Sequence, residues 1–168
     1  MLLVVALLCV GVDIWVQNNK LRQEQDKVAL IAESDGSSAR RDAEGKDETP
    51  ITSGDINNYK VAADLPRVIR INKINVEARV LPMGVNDDGS MQSPLNAGDA
   101  GWYTGSVLPG QLGAATIVAH ASGPTREGLF AYLDELKAGD TVEIERGDGT
   151  KVTYSVVKTE TVALKTWI

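Results

Sequence analysis

The one side chain in this sequence whose ordinary pKa lies near neutrality is a single histidine, His120. It closes the apolar run Thr116-Ile117-Val118-Ala119, which has the length and branched composition of a buried strand. If Thr116, Val118 and His120 share one face, the strand delivers an imidazole to its own end, where loops begin and sites form. An imidazole so placed can give or take a proton during a reaction. The one thiol, Cys9, sits in the apolar N-terminus. Burial there raises a thiol's pKa and leaves little reactive thiolate, so it reads as a small apolar side chain. A lipid-modified cysteine is the sharper alternative, and Leu7 and Leu8 fit it poorly.

Other polar groups offer weaker chemistry. Asp87, Asp88 and Asp99 invite a calcium loop, but their spacing does not match an EF-hand, and Asn86-Asp87-Asp88-Gly89 has the composition of a turn. No metal site and no cofactor are expected. Trp102 and Tyr103 could line a peptide groove or fill a core. Glu127 and Asp134 lie too far apart in sequence to name as a catalytic pair. Ser122-Gly123-Pro124 reads as a mobile loop. The formal net charge of -6 argues against a nucleic-acid partner, because neutralising phosphates requires clustered Lys and Arg.

The elements that must position His120 can be read from the chain order. Residues 1–16 are nearly all apolar and read as a membrane anchor. They are short of the ~20 residues a span requires, and no basic segment precedes them. A start further upstream would account for both. Lys20 and Arg22, counted alone, would keep the C-terminal part of the chain cytoplasmic. Residues 17–33 suit a helical stalk. Residues 34–65 have the polar, Gly- and Ser-containing composition of a flexible linker.

From Pro66 the pattern is β. Val68-Ile69-Arg70-Ile71 begins a strand, and Val76, Ala78 and Val80 alternate with Glu77 and Arg79. Leu108-Pro109-Gly110 turns before the His120 strand. Leu129, Phe130, Leu133 and Leu136 have helical spacing, with Gly139 as a stop. Val142 and Ile144 alternate with Glu143 and Glu145, and Gly147-Asp148-Gly149 turns into Val152, Tyr154 and Val156. The expected class is all-β with one short helix, preceded by the anchor and stalk.

The whole series, in order, resembles the sortase family, and its class E and F members most. It comprises Arg67-Val68-Ile69-Arg70-Ile71-Asn72-Lys73-Ile74-Asn75-Val76-Glu77-Ala78, then Asn86-Asp87-Asp88-Gly89-Ser90-Met91, then Ala100-Gly101-Trp102-Tyr103. Pro109-Gly110, Thr116-Ile117-Val118-Ala119-His120, Phe130-Ala131-Tyr132-Leu133 and Leu136-Lys137-Ala138-Gly139-Asp140 complete it. Ala119 departs from the family's usual glycine before the histidine. The resemblance implies an eight-stranded closed β-barrel on the extracytoplasmic side, occupying residues 66–168, and a Cys-His-Arg site.

In that family a thiolate attacks a peptide bond of a sorting signal on a secreted surface protein. An acyl-enzyme forms, and an amine from a cell-wall precursor or another protein resolves it. Carried over by position, only His120 maps, as the acid that protonates the leaving amine. The family's nucleophile belongs to a strand after residues 154–162, and its arginine comes later still; no Arg follows Arg146. Arg126 is not at the matching place. The expectation is therefore an incomplete barrel with both ends cut, as in a gene fragment, its last strands missing beside Ile117 and Val118, and no activity for this chain alone. A membrane-tethered, non-catalytic domain that binds extended peptides or a partner is the alternative.

Overall fold

The computed structural model describes residues 43–161, so the anchor, the stalk, Cys9 and the first part of the linker lie outside the described residues. Six strands form one mixed sheet: β1 (Pro66–Ile71), β2 (Val76–Met83), β3 (Ala100–Tyr103), β4 (Ile117–Ala119), β5 (Thr141–Arg146) and β6 (Lys151–Ser155). Their spatial order is β4-β3-β2-β1-β5-β6. Every neighbouring pair is antiparallel except β2 and β3, which run parallel. A parallel pair needs a crossover connection, and residues 84–99 supply it. Among the described residues β4 pairs only with β3, and β6 only with β5.

The alternation read from the sequence sorts the two faces. Ile69, Ile71, Val76, Ala78, Val80, Trp102 and Ile144 are buried together, with Ile117, Ala119, Phe130 and Leu133 packed against them. The opposite face carries charge. Arg70 stands across from Glu77 on β2 and from Glu143 on β5. Its guanidinium donates to Glu77 at 2.8 Å, to Glu143 at 3.3 Å and to Glu145 at 2.7 Å. Lys151 on β6 extends the alternation by pairing with Glu143 at 3.0 Å.

Glu145 also accepts from Arg67. Burial pushes its carboxyl pKa up, but Arg67 and Arg70 outweigh that and hold it below its ordinary value. A depressed carboxylate adds stability that is present above the unfolded pKa and is lost as pH falls through the folded pKa. Thermal midpoints should therefore fall as pH drops below about 4.5, the ordinary glutamate value. Glu145→Gln should be less stable at neutral pH and show a shallower acid decline. An unchanged acid slope in that variant would contradict this role.

Two sequence expectations change. Residues 43–65, read as linker, here carry a short helix α1 (Ser53–Asn58) and are hydrogen-bonded to the rest of the domain. Thr52 and Asp55 cap the helix reciprocally, Ile56 is buried, and the Tyr59 hydroxyl donates to the Val80 carbonyl at 3.0 Å. Polar residues that suggested solvation serve as caps instead. Conversely, the spacing of Leu129, Phe130, Leu133 and Leu136 yields only a 3-10 turn, Leu133–Glu135. The amides of Leu129 and Phe130 donate to the carbonyls of Ala97 and His120, each at 2.9 Å, and those of Ala131, Leu133, Glu135 and Leu136 each donate three residues back, the pattern of 3-10 turns. The apolar spacing there reflects packing on the core.

Candidate active site

Strand β4 places His120 one residue beyond its last paired position. Ile117 and Ala119 pack toward the core, so period-2 alternation sends Val118 and His120 to the other side. His120 is half-buried, and its Nε2 lies 2.9 Å from the carbonyl oxygen of Pro94 in the β2–β3 crossover. A carbonyl can only accept, so Nε2 carries the proton. The neutral ring then keeps its lone pair on Nδ1. That nitrogen can take a proton and later return it.

A second segment closes on the ring. Gly45 donates its amide to the same Pro94 carbonyl at 3.2 Å. Its φ of +69° suits glycine, and a Cβ there would stand 2.7 Å from Cε1, 2.9 Å from Nδ1 and 3.0 Å from Nε2 of His120. Near-equal distances to three ring atoms mean that Gly45 lies against the ring face. Glu44 accepts from the Ser93 amide at 3.1 Å, and Asp47 forms a parallel bridge with Asn96.

The chain after His120 is tied as well. Its carbonyl accepts from Phe130, Gly128 donates to Ala121 at 3.1 Å, and Gly123 donates to Arg126 at 2.8 Å. Glu48 reaches this loop from the N-terminal segment. Its carboxylate accepts from the Thr125 hydroxyl, from the Thr125 amide at 2.9 Å and from the Arg126 amide at 3.1 Å. The Thr125 hydroxyl and amide hold the Glu48 pKa below its ordinary value. The loop read as mobile, Ser122-Gly123-Pro124, is thus hydrogen-bonded at both ends of its turn.

The remaining sequence candidates fall elsewhere. Residues 86–90 form the expected turn, with the Asn86 amide donating to Ser90 at 2.7 Å and Asp88 accepting from the Ser90 amide at 3.0 Å. Asp99 is buried in an ion pair with Arg79. Trp102 is a core residue whose Nε1 donates to Val107 at 3.2 Å. The neighbouring Glu127 carboxylate pushes the Tyr132 phenol pKa up, while Asp134 sits in the 3-10 turn. A cavity of about 300 Å³ opens beside Ile117, lined by Ile69, Ile71, Phe130, Val142, Ile144 and Tyr154 among others. Gly45, Glu48 and Pro94 carry no local signal, because each meets its partner across a long sequence separation. Among the described residues no helix is long and apolar enough to cross a membrane.

The described site is thus a mixed β-sheet that presents one imidazole at a strand end, with one ring nitrogen bound to a main-chain carbonyl. The sortase domain family matches residues 69–167, more than half of the chain, and the chain belongs to that family of cysteine transpeptidases. No curated protein matches it. Among solved structures it is similar to the pilus-related sortase C of Group B Streptococcus, with 22% identity and a TM-score of 0.41, over 82% of this chain and 66% of that one. Sortase C of Streptococcus pneumoniae has 22% identity and a TM-score of 0.43, over 84% of this chain and 70% of that one. Sortase C1 of Streptococcus agalactiae has 20% identity and a TM-score of 0.44, over 83% and 76%. The chain thus spans about two thirds of the first of these.

Proposed function

We propose that the domain serves a sortase-type transpeptidation of the class E or F kind, with His120 as the acid–base group. It would act at the outer face of a cell membrane, tethered through residues 1–16. The substrate would be the sorting signal of a secreted surface protein, and the acceptor an amine from a cell-wall precursor or another protein. The observation that carries this reading is the Nε2 bond to the Pro94 carbonyl, which leaves Nδ1 to move the proton. A positioned imidazole can protonate a leaving amine and then activate the resolving amine.

The 168 residues hold one of the family's three catalytic groups, since the single Cys is Cys9 and no Arg follows Arg146. By this route no acyl-enzyme forms without a thiolate. The chain alone is therefore expected to transfer no sorting-signal peptide to an amine. In a longer form that places a thiol and a guanidinium beside His120, transfer should appear, and His120→Ala should lower its rate by about 10²- to 10⁴-fold. Cys-dependent transfer by the 168-residue chain, or transfer indifferent to His120→Ala, would overturn the proposal. One observation favours a second reading, a domain that binds an extended peptide: β4 has a single neighbour among the described residues, beside the apolar cavity at Ile117. Peptide binding with no transfer in the longer form would select it.

A further inference from the structure

We propose that residues 44–48 form a clasp that positions the His120 imidazole and fixes which of its nitrogens exchanges a proton. This rests on the reading of His120 as the acid–base group. Three attachments carry it. The Gly45 amide and His120 Nε2 share one acceptor, the Pro94 carbonyl, so the segment and the ring are held to a common point. Gly45 closes one face of the ring at a distance that leaves no room for a side chain. Glu48 binds Thr125 and Arg126, in the loop that leaves His120, and so fixes the other end of the same strand exit.

Each attachment alone is modest, but together they restrain the ring at its hydrogen-bonded edge, on its face and through its backbone. An unrestrained imidazole rotates about χ2 and exchanges its proton between nitrogens. The clasped ring keeps Nε2–H on the carbonyl, and Nδ1 becomes the working atom. Glu44, Gly45 and Glu48 are positioning residues, because none supplies an atom to the reaction.

The test is nitrogen-edited NMR of the 168-residue chain, in which every imidazole signal belongs to His120 because it is the only histidine. The neutral wild-type ring should be one tautomer, protonated at Nε2, with the ring Cε1 proton close to the Gly45 α-protons. Gly45→Ala should shift the ring toward the tautomer mixture of free imidazole. Glu48→Ala should do so more weakly and speed Nε2–H exchange with water by about tenfold, on the scale of a local opening. Glu48→Gln, which keeps an acceptor oxygen, should restore most of the wild-type signal. A wild-type ring protonated at Nδ1 would overturn the proposal. So would wild-type imidazole signals in both alanine variants. If Gly45→Ala fails to fold, the wild-type tautomer and the Glu48 pair still decide. These signals do not depend on peptide transfer, so a failure of the proposed activity would be seen separately.

Discussion

Gly128→Ala is expected to lower the unfolding free energy by about 3 kcal/mol or more, and to detach the loop that leaves His120. A Cβ at this position would stand 2.3 Å from the carbonyl oxygen of His120, 2.6 Å from its carbonyl carbon and 3.0 Å from that of Ala121. All three are main-chain atoms, so no side chain can swing aside. The two chain segments must part. That puts at risk the Gly128–Ala121 bond at 3.1 Å and the Phe130–His120 bond at 2.9 Å. Unmade bonds at half-buried groups cost about 1–3 kcal/mol each, and overpacking adds a similar amount. Gly89→Ala is the control. Its φ is +78° but nothing lies within 4 Å of a Cβ there, so only the left-handed backbone penalty of about 1 kcal/mol applies. Urea unfolding of the two variants measures the difference, and equal losses would refute the argument.

The second large effect is expected for Arg79→Met, at about 3 kcal/mol. Arg79 binds both carboxylate oxygens of Asp99 through one guanidinium edge, Nε at 2.9 Å and Nη2 at 2.7 Å, and Asp99 is only 2% exposed. Removing the guanidinium leaves a buried carboxylate without its counter-charge, a change that costs about 3–5 kcal/mol in well-buried pairs. The partial exposure of Arg79 places the expectation at the lower end. The guanidinium also stands 6.0 Å from the Tyr59 ring centre. Burial chiefly, with Asp99 adding and Arg79 opposing, pushes the Tyr59 phenol up to about 12. The double variant Arg79→Met/Asp99→Leu should lose less than Arg79→Met alone, because it removes the orphaned charge. A double variant that is worse by the sum of both single losses would show that packing, and not the charge, dominates.

Much of the strand pattern was legible because period-2 alternation is a local property. Val76, Ala78 and Val80 could be assigned to one face, and Gly147-Asp148-Gly149 to a turn, from residues a few positions apart. The end of the run at His120 was legible for the same reason. The surroundings of His120 were not. Pro94 lies 26 positions away, and Glu48 meets Thr125 at a separation of 77. Nothing in Ala43-Glu44-Gly45-Lys46-Asp47-Glu48 marks it as other than a solvated stretch, since its anchors are main-chain bonds, one glycine's missing side chain and two carboxylates whose partners lie far along the chain. The 129–136 segment misled in the opposite sense: burying alternate sides of a turn over a sheet reproduces helical spacing without a helix.

The parallel pairing of β2 with β3, and the long reach of Glu48 to Thr125, also bear on how the molecule is made. Hairpins such as β5–β6 can close as soon as their own residues exist. The histidine rim cannot, because one of its walls is synthesised among the earliest described residues and its counterpart about 77 residues later. Loop closures of that length slow a chain's search for its contacts. On the ribosome, the early segment must therefore wait until about 77 further residues have been made before Glu48 can dock, and the clasp on the imidazole closes only after that.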